Sequence, residues 1–270
     1  METTMEKTFT LTANTLMSNQ PSTVKVFQDG EKGICFLNNG HSVIANAENV
    51  ISTQNCTVIG NQEIQVGLIE HFMAALAISN IDSVKIEIDN KEMPILDGSA
   101  IEWITFFKNS GFEQAKPRLF SLAQPIYFIN ERTTIAVIPD THFSVSYCVD
   151  FHNNDLNSRW VYFDGSNLQE VAEARTFGYL KDLERFQSMG IGLGVNEKNT
   201  VGLTENGYTT NLRSQWEPIK HKILDLVGDF YLSGINPFQL KARIVAINAG
   251  HSTHVEVAKI LKNYVIEEEI

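Results

Sequence analysis

The sequence of 270 residues has few cysteines, few basic residues and no long apolar run, and each shortage excludes a class of protein. Its three cysteines, Cys35, Cys56 and Cys148, form no CxxC pair, which argues against a disulfide framework and against a cysteine zinc site. No segment approaches the roughly 20 apolar residues of a membrane span, and the N-terminus lacks the apolar core of a signal peptide. We therefore expect a soluble, cytoplasmic protein with no integral membrane segment.

The shortage of positive charge also limits the partners of the chain. The sequence has 21 Lys and Arg against 32 Asp and Glu, which gives a net charge of −11. Proteins that bind nucleic acids or anionic membranes rely on clustered Lys and Arg to neutralise phosphate, so we expect neither kind of partner. An anionic small molecule would have to be bound by a few local cations. Separately, we expect the chain to act as a monomer.

Hydrophobic periodicity predicts an α+β protein made of two similar halves, residues 1–116 and 117–270, divided at the polar stretch 109–117. The first half has predicted strands at 7–12, 23–27, 33–37, 57–59 and 83–89, and helices at 68–78 and 101–108. The second has strands at 126–129, 133–137, 143–149, 200–203 and 240–249, helices at 168–174, 179–189 and 214–234, and a last helix from 252 or 253 to 262. Ile69-Glu-His beside Ile219-Lys-His suggests an internal duplication, with a histidine at the same point of each apolar helix.

The predicted helix at residues 214–234 carries three polar side chains on an otherwise apolar surface. His221, Asp225 and Asp229 follow one another in steps of four and lie on one stripe. Buried carboxylates are costly unless a cation faces them, and a metal ion would supply that charge. His221 and Asp225 can reach one zinc ion, whereas Asp229 is roughly 12 Å along the axis from His221 and suits a supporting role. The alternative is a polar stripe that faces solvent.

Glu70 and His71, at the start of the other apolar helix, offer a third metal ligand and an adjacent carboxylate. In a zinc hydrolase three protein ligands leave a fourth position for water, and a nearby carboxylate takes the proton of that water. Glu-His pairs are common in sequences, so this pair alone indicates little.

Five motifs in order resemble those of the UDP-3-O-acyl-N-acetylglucosamine deacetylases, the zinc enzymes that commit bacteria to lipid A synthesis. They span most of the chain. The motifs are Thr57-Val-Ile-Gly followed by Ile69-Glu-His-Phe-Met-Ala-Ala-Leu, Pro94-Ile-Leu-Asp-Gly-Ser-Ala, Ala172-Glu-Ala-Arg-Thr-Phe-Gly, His221-Lys-Ile-Leu-Asp-Leu-Val-Gly-Asp, and Ala249-Gly-His.

The resemblance implies a fold, a reaction and a set of site residues. The fold would be two α+β halves packed with their helices between the sheets, with an insert near 177–195 that lines a passage for the acyl chain. The reaction would be zinc-dependent removal of the N-acetyl group from UDP-3-O-acyl-N-acetylglucosamine. The implied residues are the Zn²⁺ ligands His71, His221 and Asp225, the general base Glu70, the oxyanion contact Thr176, the substrate contacts Lys222 and Phe177, and a protonated His251 paired with Asp229.

Several of these residues have simpler interpretations. Thr176 could cap a turn at Phe177-Gly178, and Lys222 could be a solvated residue at the edge of its helix. His251 could be an ordinary loop histidine, with His254 as an alternative partner that fits the Gly-His motif less well. The amphipathic segment 179–186 could either cover the core or line a lipid groove.

The chain departs from the family's motifs in three places. Ala13-Asn-Thr-Leu-Met-Ser-Asn replaces an N-terminal Gly-x-Gly-Leu-His-x-Gly signature, Leu68 replaces a threonine, and Phe151-His-Asn-Asn replaces a Phe-x-His-Pro stretch. The metal ligands are retained, so the chemistry is better defined than the substrate. Two rival functions are a zinc amidohydrolase for another N-acyl sugar or amide, and a non-catalytic sugar-nucleotide or lipid-binding homologue. The retained Glu70 argues against the second, because a binder needs no base.

Overall fold

The computed structural model describes residues 7–269 and contains mixed sheets and helices. In the first half these are β1 (Lys7–Asn14), β2 (Pro21–Gln28), β3 (Gly33–Asn38), β4 (His41–Ile44), β5 (Val50–Ser52), β6 (Val58–Gly60), β7 (Gln65–Gly67), α1 (Glu70–Ile78), β8 (Ser83–Ile88) and α2 (Ile101–Asn109). In the second half they are β9 (Phe120–Leu122), β10 (Ile126–Ile129), β11 (Thr134–Pro139), β12 (Ser144–Val149), β13 (Arg159–Phe163), α3 (Leu168–Ala172), β14 (Thr176–Tyr179), α4 (Leu180–Ser188), β15 (Thr200–Leu203), α5 (Glu217–Tyr231), β16 (Leu240–Ile247), α6 (His251–Leu261) and β17 (Val265–Glu267).

The two large sheets have the same topology. The first has the strand order β1-β2-β8-β3-β4, and the second contains the order β10-β11-β16-β12-β13. In each sheet the third and fourth strands of this order run parallel, while the other neighbours along it run antiparallel. The predicted α+β fold with two similar halves is therefore confirmed. The boundary between residues 116 and 117 remains a proposal, supported by the absence of shared strands between the two sheets within residues 7–269.

Helices α1 and α5 pack against each other between the two sheets. The Phe72 ring of α1 lies 6.0 Å from the Phe36 ring of β3, and α5 contacts β12 of the second sheet. Every residue of α1 except Ile78 is buried, as is every residue of α5 except Lys222. Apolar side chains on nearly the whole circumference suit a helix that is covered on all sides.

Gly228 allows α5 to approach the start of α1 closely. A Cβ at this position would lie 2.0 Å from the carbonyl oxygen of Glu70 and 3.1 Å from the backbone nitrogen of Ala74. A side chain here would therefore separate the helices. The close contact brings the polar residues at the start of α1 next to those in the middle of α5.

Several predicted bounds were wrong. Helix α5 runs from Glu217 to Tyr231, shorter at both ends than the predicted 214–234, and Trp216 before it has a left-handed backbone with φ of 56°. The last helix begins at His251, so this residue belongs to α6 and not to a loop. Seven strands were not predicted: β4, β5, β7, β9, β13, β14 and β17. None of the helices within residues 7–269 has the length together with the apolar character that crossing a lipid bilayer requires.

Candidate active site

Three side chains from α1 and α5 form a group that could hold a metal ion. The candidate ligand atoms of His71, His221 and Asp225 all lie within 4.8 Å of one another, and all three residues are buried. Asp225 Oδ1 is 3.2 Å from His221 Nε2 and 3.7 Å from His71 Nε2. The two imidazole rings meet edge to face with centroids 4.7 Å apart. The structure thus brings together the three residues predicted as ligands.

The chemistry of this group suits a metal. Asp225 Oδ1 is buried and has no hydrogen-bond partner within residues 7–269, an arrangement that is costly for a carboxylate unless a cation lies beside it. Burial and the neighbouring His221 lower the pKa of His71 to about 3, which keeps its ring neutral and able to donate a lone pair. Burial opposes the charge of Asp225, but Lys222, His221 and His251 hold its pKa well below the usual range. Two imidazoles and one carboxylate are ligand types found at catalytic zinc sites.

The ring of His221 is oriented by backbone outside the helix. Its Nδ1 donates a hydrogen bond of 2.9 Å to the carbonyl oxygen of Ala174, which leaves Nε2 free to face Asp225. The next residue, Arg175, is 5% exposed and is held by Glu217, to which its backbone nitrogen and its Nε each donate bonds of 2.9 Å. This buried ion pair fixes the segment 174–176 against the start of α5.

Glu70 is the first residue of α1 and is almost completely buried. Its Oε2 accepts a hydrogen bond of 3.0 Å from the backbone nitrogen of Thr57. Burial raises the pKa of Glu70 to about 7, and the nearby carboxylates of Asp229 and Asp225 act in the same direction, while His251 opposes them. A carboxyl group with a pKa near neutrality can both accept and donate a proton. Leu68, just before α1, has φ of 59°, a strained backbone of the kind found at functional sites.

His251 and Asp229, predicted to pair, are in direct contact. His251 Nδ1 lies 2.9 Å from Asp229 Oδ2, and His251 Nε2 lies 4.0 Å from Glu70 Oε1. Burial disfavours the charge on His251, but the carboxylates of Asp229, Asp225 and Glu70 favour it and raise its pKa to about 9. The neighbouring carboxylates therefore favour the charged form of His251, whose Nε2 faces Glu70.

Thr176, Phe177 and Lys222 line the same cavity of about 210 Å³ as the metal-type ligands. Thr176 begins strand β14, which pairs with β15, so the interpretation of this residue as a turn cap was wrong. The Phe177 ring lies 5.9 Å from the His221 ring. The side chain of Lys222 is 12% exposed and its Nζ donates a bond of 2.8 Å to Asp225 Oδ2, so it is not a solvated edge residue.

Comparison with known proteins identifies the family. The family model described as LpxC, UDP-3-O-acyl N-acetylglycosamine deacetylase, matches residues 2–263. The chain belongs to this deacetylase family. Proteins named UDP-3-O-acyl-N-acetylglucosamine deacetylase are similar to it in Nostoc sp., with 36% identity over 79% of this chain and 78% of the relative. The relative in Syntrophotalea carbinolica is 32% identical over 87% of this chain and 75% of the relative. The relative in Leptospira biflexa is 33% identical over 83% of this chain and 75% of the relative.

Two of the departures from the deacetylase motifs lie at the wall of the cavity. Leu16, within the segment that replaces the N-terminal signature, and Leu68 both line it, next to Asn55. The third departure, Phe151-His152, lies at a larger groove of about 860 Å³ that is also lined by Tyr179, Leu180 and Lys181. The changes thus concern the surroundings of the candidate metal ligands and not the ligands themselves.

Two contacts of Asp229 were not predicted from the sequence. Thr57 stands in a quoted motif, yet only the structure shows its hydroxyl donating a bond of 2.6 Å to Asp229 Oδ1. His254, ranked below His251 as a partner of Asp229, contacts the same carboxylate oxygen at 2.9 Å. The spacing of three between the two histidines was the available signal, since it places both on one helix face.

Proposed function

We propose that this chain is a zinc-dependent deacetylase that hydrolyses the N-acetyl group of UDP-3-O-acyl-N-acetylglucosamine, in lipid A biosynthesis, to give the free amine and acetate. The observation that carries the proposal is the buried, unpartnered Asp225 Oδ1 facing the Nε2 atoms of His71 and His221. His71, His221 and Asp225 would hold the metal. When bound at such a site, zinc acts as a Lewis acid that lowers the pKa of a water and polarises an acyl carbonyl.

In the proposal Glu70 is the general base. Its carboxylate, poised by burial at a pKa of about 7, takes a proton from the water that attacks the amide carbon. The Thr57 backbone N–H fixes Oε2 of this carboxylate, which leaves Oε1 on the side of His251. Glu70 thereby supplies the proton transfer that a pure binding protein would not need.

Protonated His251 and the hydroxyl of Thr176 are proposed to stabilise the negative charge that develops on the acyl oxygen. Donors that are oriented in advance in a site shielded from water are effective in this role. Asp229 is proposed to keep His251 charged and oriented through their bond of 2.9 Å. A proton delivered to the amine nitrogen from His251 or Glu70 then releases the amine and acetate.

Lys222 and Phe177 are proposed as substrate contacts, and the insert at 177–195 as one wall of the acyl passage. Helix α4 buries none of its residues fully, and Leu180, Met189 and Leu193 are exposed. Such an amphipathic segment is poor core cover and offers apolar surface to an acyl chain. We further propose a cytoplasmic monomer, because the residues of a single chain are sufficient to complete the candidate metal group and to place Glu70 beside it.

Mass spectrometry of the product from UDP-3-O-acyl-N-acetylglucosamine tests the activity. Purified protein should release one acetyl group per molecule of substrate, lose this activity after treatment with a chelator, and regain it with one equivalent of zinc. The same assay with an N-acetyl sugar that lacks UDP should show poor turnover, because remote binding energy would be missing. Equal turnover of both substrates would favour the rival amidohydrolase, and no turnover of either would reject the proposal.

A further inference from the structure

Asp229 is contacted from three sides, by the side chains of Thr57, His251 and His254. Its side chain is completely buried. Oδ1 accepts a bond of 2.6 Å from the Thr57 hydroxyl, and Oδ2 lies 2.9 Å from the Nδ1 atoms of both His251 and His254. The two histidines occupy positions 1 and 4 of α6, so one helix face presents both rings to one oxygen. Only His251 lines the cavity, which leaves His254 without a role in the proposed chemistry.

Tyr147 connects His254 to the backbone that leads into His251. Its hydroxyl lies 3.0 Å from His254 Nε2 and 2.8 Å from the carbonyl oxygen of Ala249, two residues before His251. Tyr147 and His254 are both completely buried, and their rings meet edge to face at 6.1 Å. The Tyr147 hydroxyl, on β12 of the second sheet, thus contacts both the backbone just before His251 and the ring of His254.

The protons available on Tyr147 and His254 limit the protonation states that this network can adopt. The Asp229 carboxylate only accepts, so His254 Nδ1 must carry a proton. The Tyr147 hydroxyl has a single proton, which can go to Ala249 or to His254 Nε2. If it goes to Ala249, His254 must donate from both nitrogens and be a buried cation. If it goes to Nε2, His254 is a neutral ring, which agrees with the effect of burial in lowering the pKa of His254.

A neutral His254 would help His251 without competing with it. The Asp229 carboxylate can offset one buried positive charge, and a second imidazolium at the same oxygen would repel the first. A neutral N–H donor instead fixes the carboxylate and leaves its charge to His251. Two further bonds, from the Thr57 hydroxyl to Asp229 Oδ1 and from the Tyr147 hydroxyl to His254 Nε2, restrict the remaining motion of the pair.

We propose that His254, fixed by Tyr147, and Tyr147 itself are positioning residues that hold the Asp229 carboxylate, so that His251 Nε2 faces Glu70 in the cavity. This inference rests on the proposed role of His251 in the deacetylase reaction. Neither residue touches the cavity, so their effect should fall on turnover and not on substrate binding.

Kinetics of the zinc-loaded enzyme with His254→Leu and His254→Asn as a matched pair test this role. His254→Leu removes the donor to Asp229 and should lower kcat about 10–100-fold, the usual effect of orienting partners, with KM and zinc content unchanged. His254→Asn keeps an N–H near the position of Nδ1 and should recover most of the loss. Tyr147→Phe, which removes only a hydroxyl, should show a smaller loss of kcat in the same direction. A folded His254→Leu variant with parental kcat would overturn the proposal, as would equal kcat losses in His254→Leu and His254→Asn.

Nitrogen NMR of ¹⁵N-histidine-labelled protein gives a readout that does not depend on activity. His254 should appear as a neutral ring that carries its proton on Nδ1, with slow exchange against solvent, and Tyr147→Phe should alter the signal of its Nε2. A proton on Nε2 of a neutral His254, or rapid exchange, would overturn the proposed network. An inactive parent enzyme with the expected His254 signals would instead reject the proposed function while leaving the network intact.

Discussion

The two halves of the molecule share one sheet topology but supply different chemistry through corresponding helices. Helix α1 has nine residues and places Glu70 and His71 in its first turn, whereas α5 has fifteen and carries His221, Asp225 and Asp229 along its middle. Glu70 is held by a backbone donor, Thr57, while the carboxylates of α5 are contacted by Lys222, His251 and His254. The pKa of the Glu70 carboxyl group in the first half is thus near neutral pH. The pKa values of Asp225 and Asp229 in the second half are lowered, which favours their ionised forms.

This difference shows how the two halves of one molecule can give their buried carboxylates different roles, one as a base and the other as a metal ligand. A carboxylate with few charged partners has its pKa raised by burial and becomes suited to proton transfer. A carboxylate surrounded by cations has its pKa lowered and becomes suited to ligation or to charge pairing. The predictions below alter one half at a time.

The largest effect is expected for Glu70→Gln in the first half. The amide oxygen can still accept from the Thr57 N–H, so shape and metal content should persist while the base is lost. We expect kcat to fall ~10²–10⁴-fold, the usual contribution of a general base, as measured by initial rates on zinc-loaded protein. An unchanged rate would remove Glu70 from the mechanism.

Glu92→Gln is a matched control for this substitution. Glu92 is also a buried carboxylate that accepts a backbone N–H, with its Oε1 2.8 Å from the nitrogen of Met17. It is not one of the residues that line the cavity. The rate of Glu92→Gln should therefore match that of the parent.

A smaller effect is expected for Asp229→Asn in the second half. The Asp229 carboxylate helps raise the pKa of His251 to about 9, so its loss should lower this pKa. His251 would then lose its proton at lower pH, and the alkaline limb of the pH–rate profile should move to lower pH. At neutral pH we expect a loss of about 10–100-fold in kcat, typical of a partner that orients a functional group.

The double variant Asp229→Asn/His251→Ala distinguishes a pair from two independent residues. If Asp229 acts through His251, the double variant should be little slower than His251→Ala alone, because the second substitution has nothing left to disturb. Losses that multiply, together with an alkaline limb that stays in place in Asp229→Asn, would show that the two residues act separately.

Gly228→Ala tests the contact that joins the halves. Alanine is favoured over glycine inside a helix by about 1 kcal/mol, so propensity alone predicts stabilisation. The added Cβ would lie 2.0 Å from the Glu70 carbonyl oxygen, and overpacking of this kind typically costs about 1–3 kcal/mol. We expect the clash to dominate, with a lower free energy of unfolding by denaturant titration and weaker metal binding. Gly207→Ala, whose Cβ would lie no closer than 3.9 Å to Thr204, should leave both quantities unchanged.

The sequence predicted the helix that carries the site residues better than the short strands around it. The four-residue spacing of His221, Asp225 and Asp229 fixes one stripe on a helix regardless of the tertiary fold, so their proximity could be read directly. Strands of three or four residues, such as β5, β7 and β14, contain too few alternations for periodicity to detect them. The alternative interpretation of Thr176 as a turn cap arose from this limit, because the short strand β14 was not predicted.

The close approach of α1 and α5 could not be predicted from the spacing of residues in the sequence. Glu70 and Gly228 are far apart in the chain, and no local pattern shows that the carbonyl of one meets the Cα of the other. The same holds for Tyr147, a strand residue whose hydroxyl reaches α6 only because the second sheet covers that helix. The resemblance to the family's motifs predicted the set of metal ligands. The residues that support these ligands could be identified only from the fold.

The smallest effect is expected for Lys222, whose ammonium group has two competing interpretations. Its bond of 2.8 Å to Asp225 Oδ2 suggests a role in holding a ligand, while its position in the cavity wall suggests contact with an anionic substrate. Lys222→Met keeps the aliphatic stem and removes the charge, which should lower kcat/KM about tenfold, near the lower limit for a hydrogen bond to a charged group.

Zinc titration and a substrate comparison separate the two interpretations of Lys222. If the ammonium contacts the nucleotide sugar, Lys222→Met should bind zinc like the parent and raise KM, and its defect should shrink with an N-acetyl sugar that lacks UDP. If it serves only to orient Asp225, zinc affinity should fall and the defect should be the same for both substrates. We expect the first result, because a metal ion at the free Asp225 Oδ1 would itself neutralise this carboxylate and release Lys222 toward the cavity.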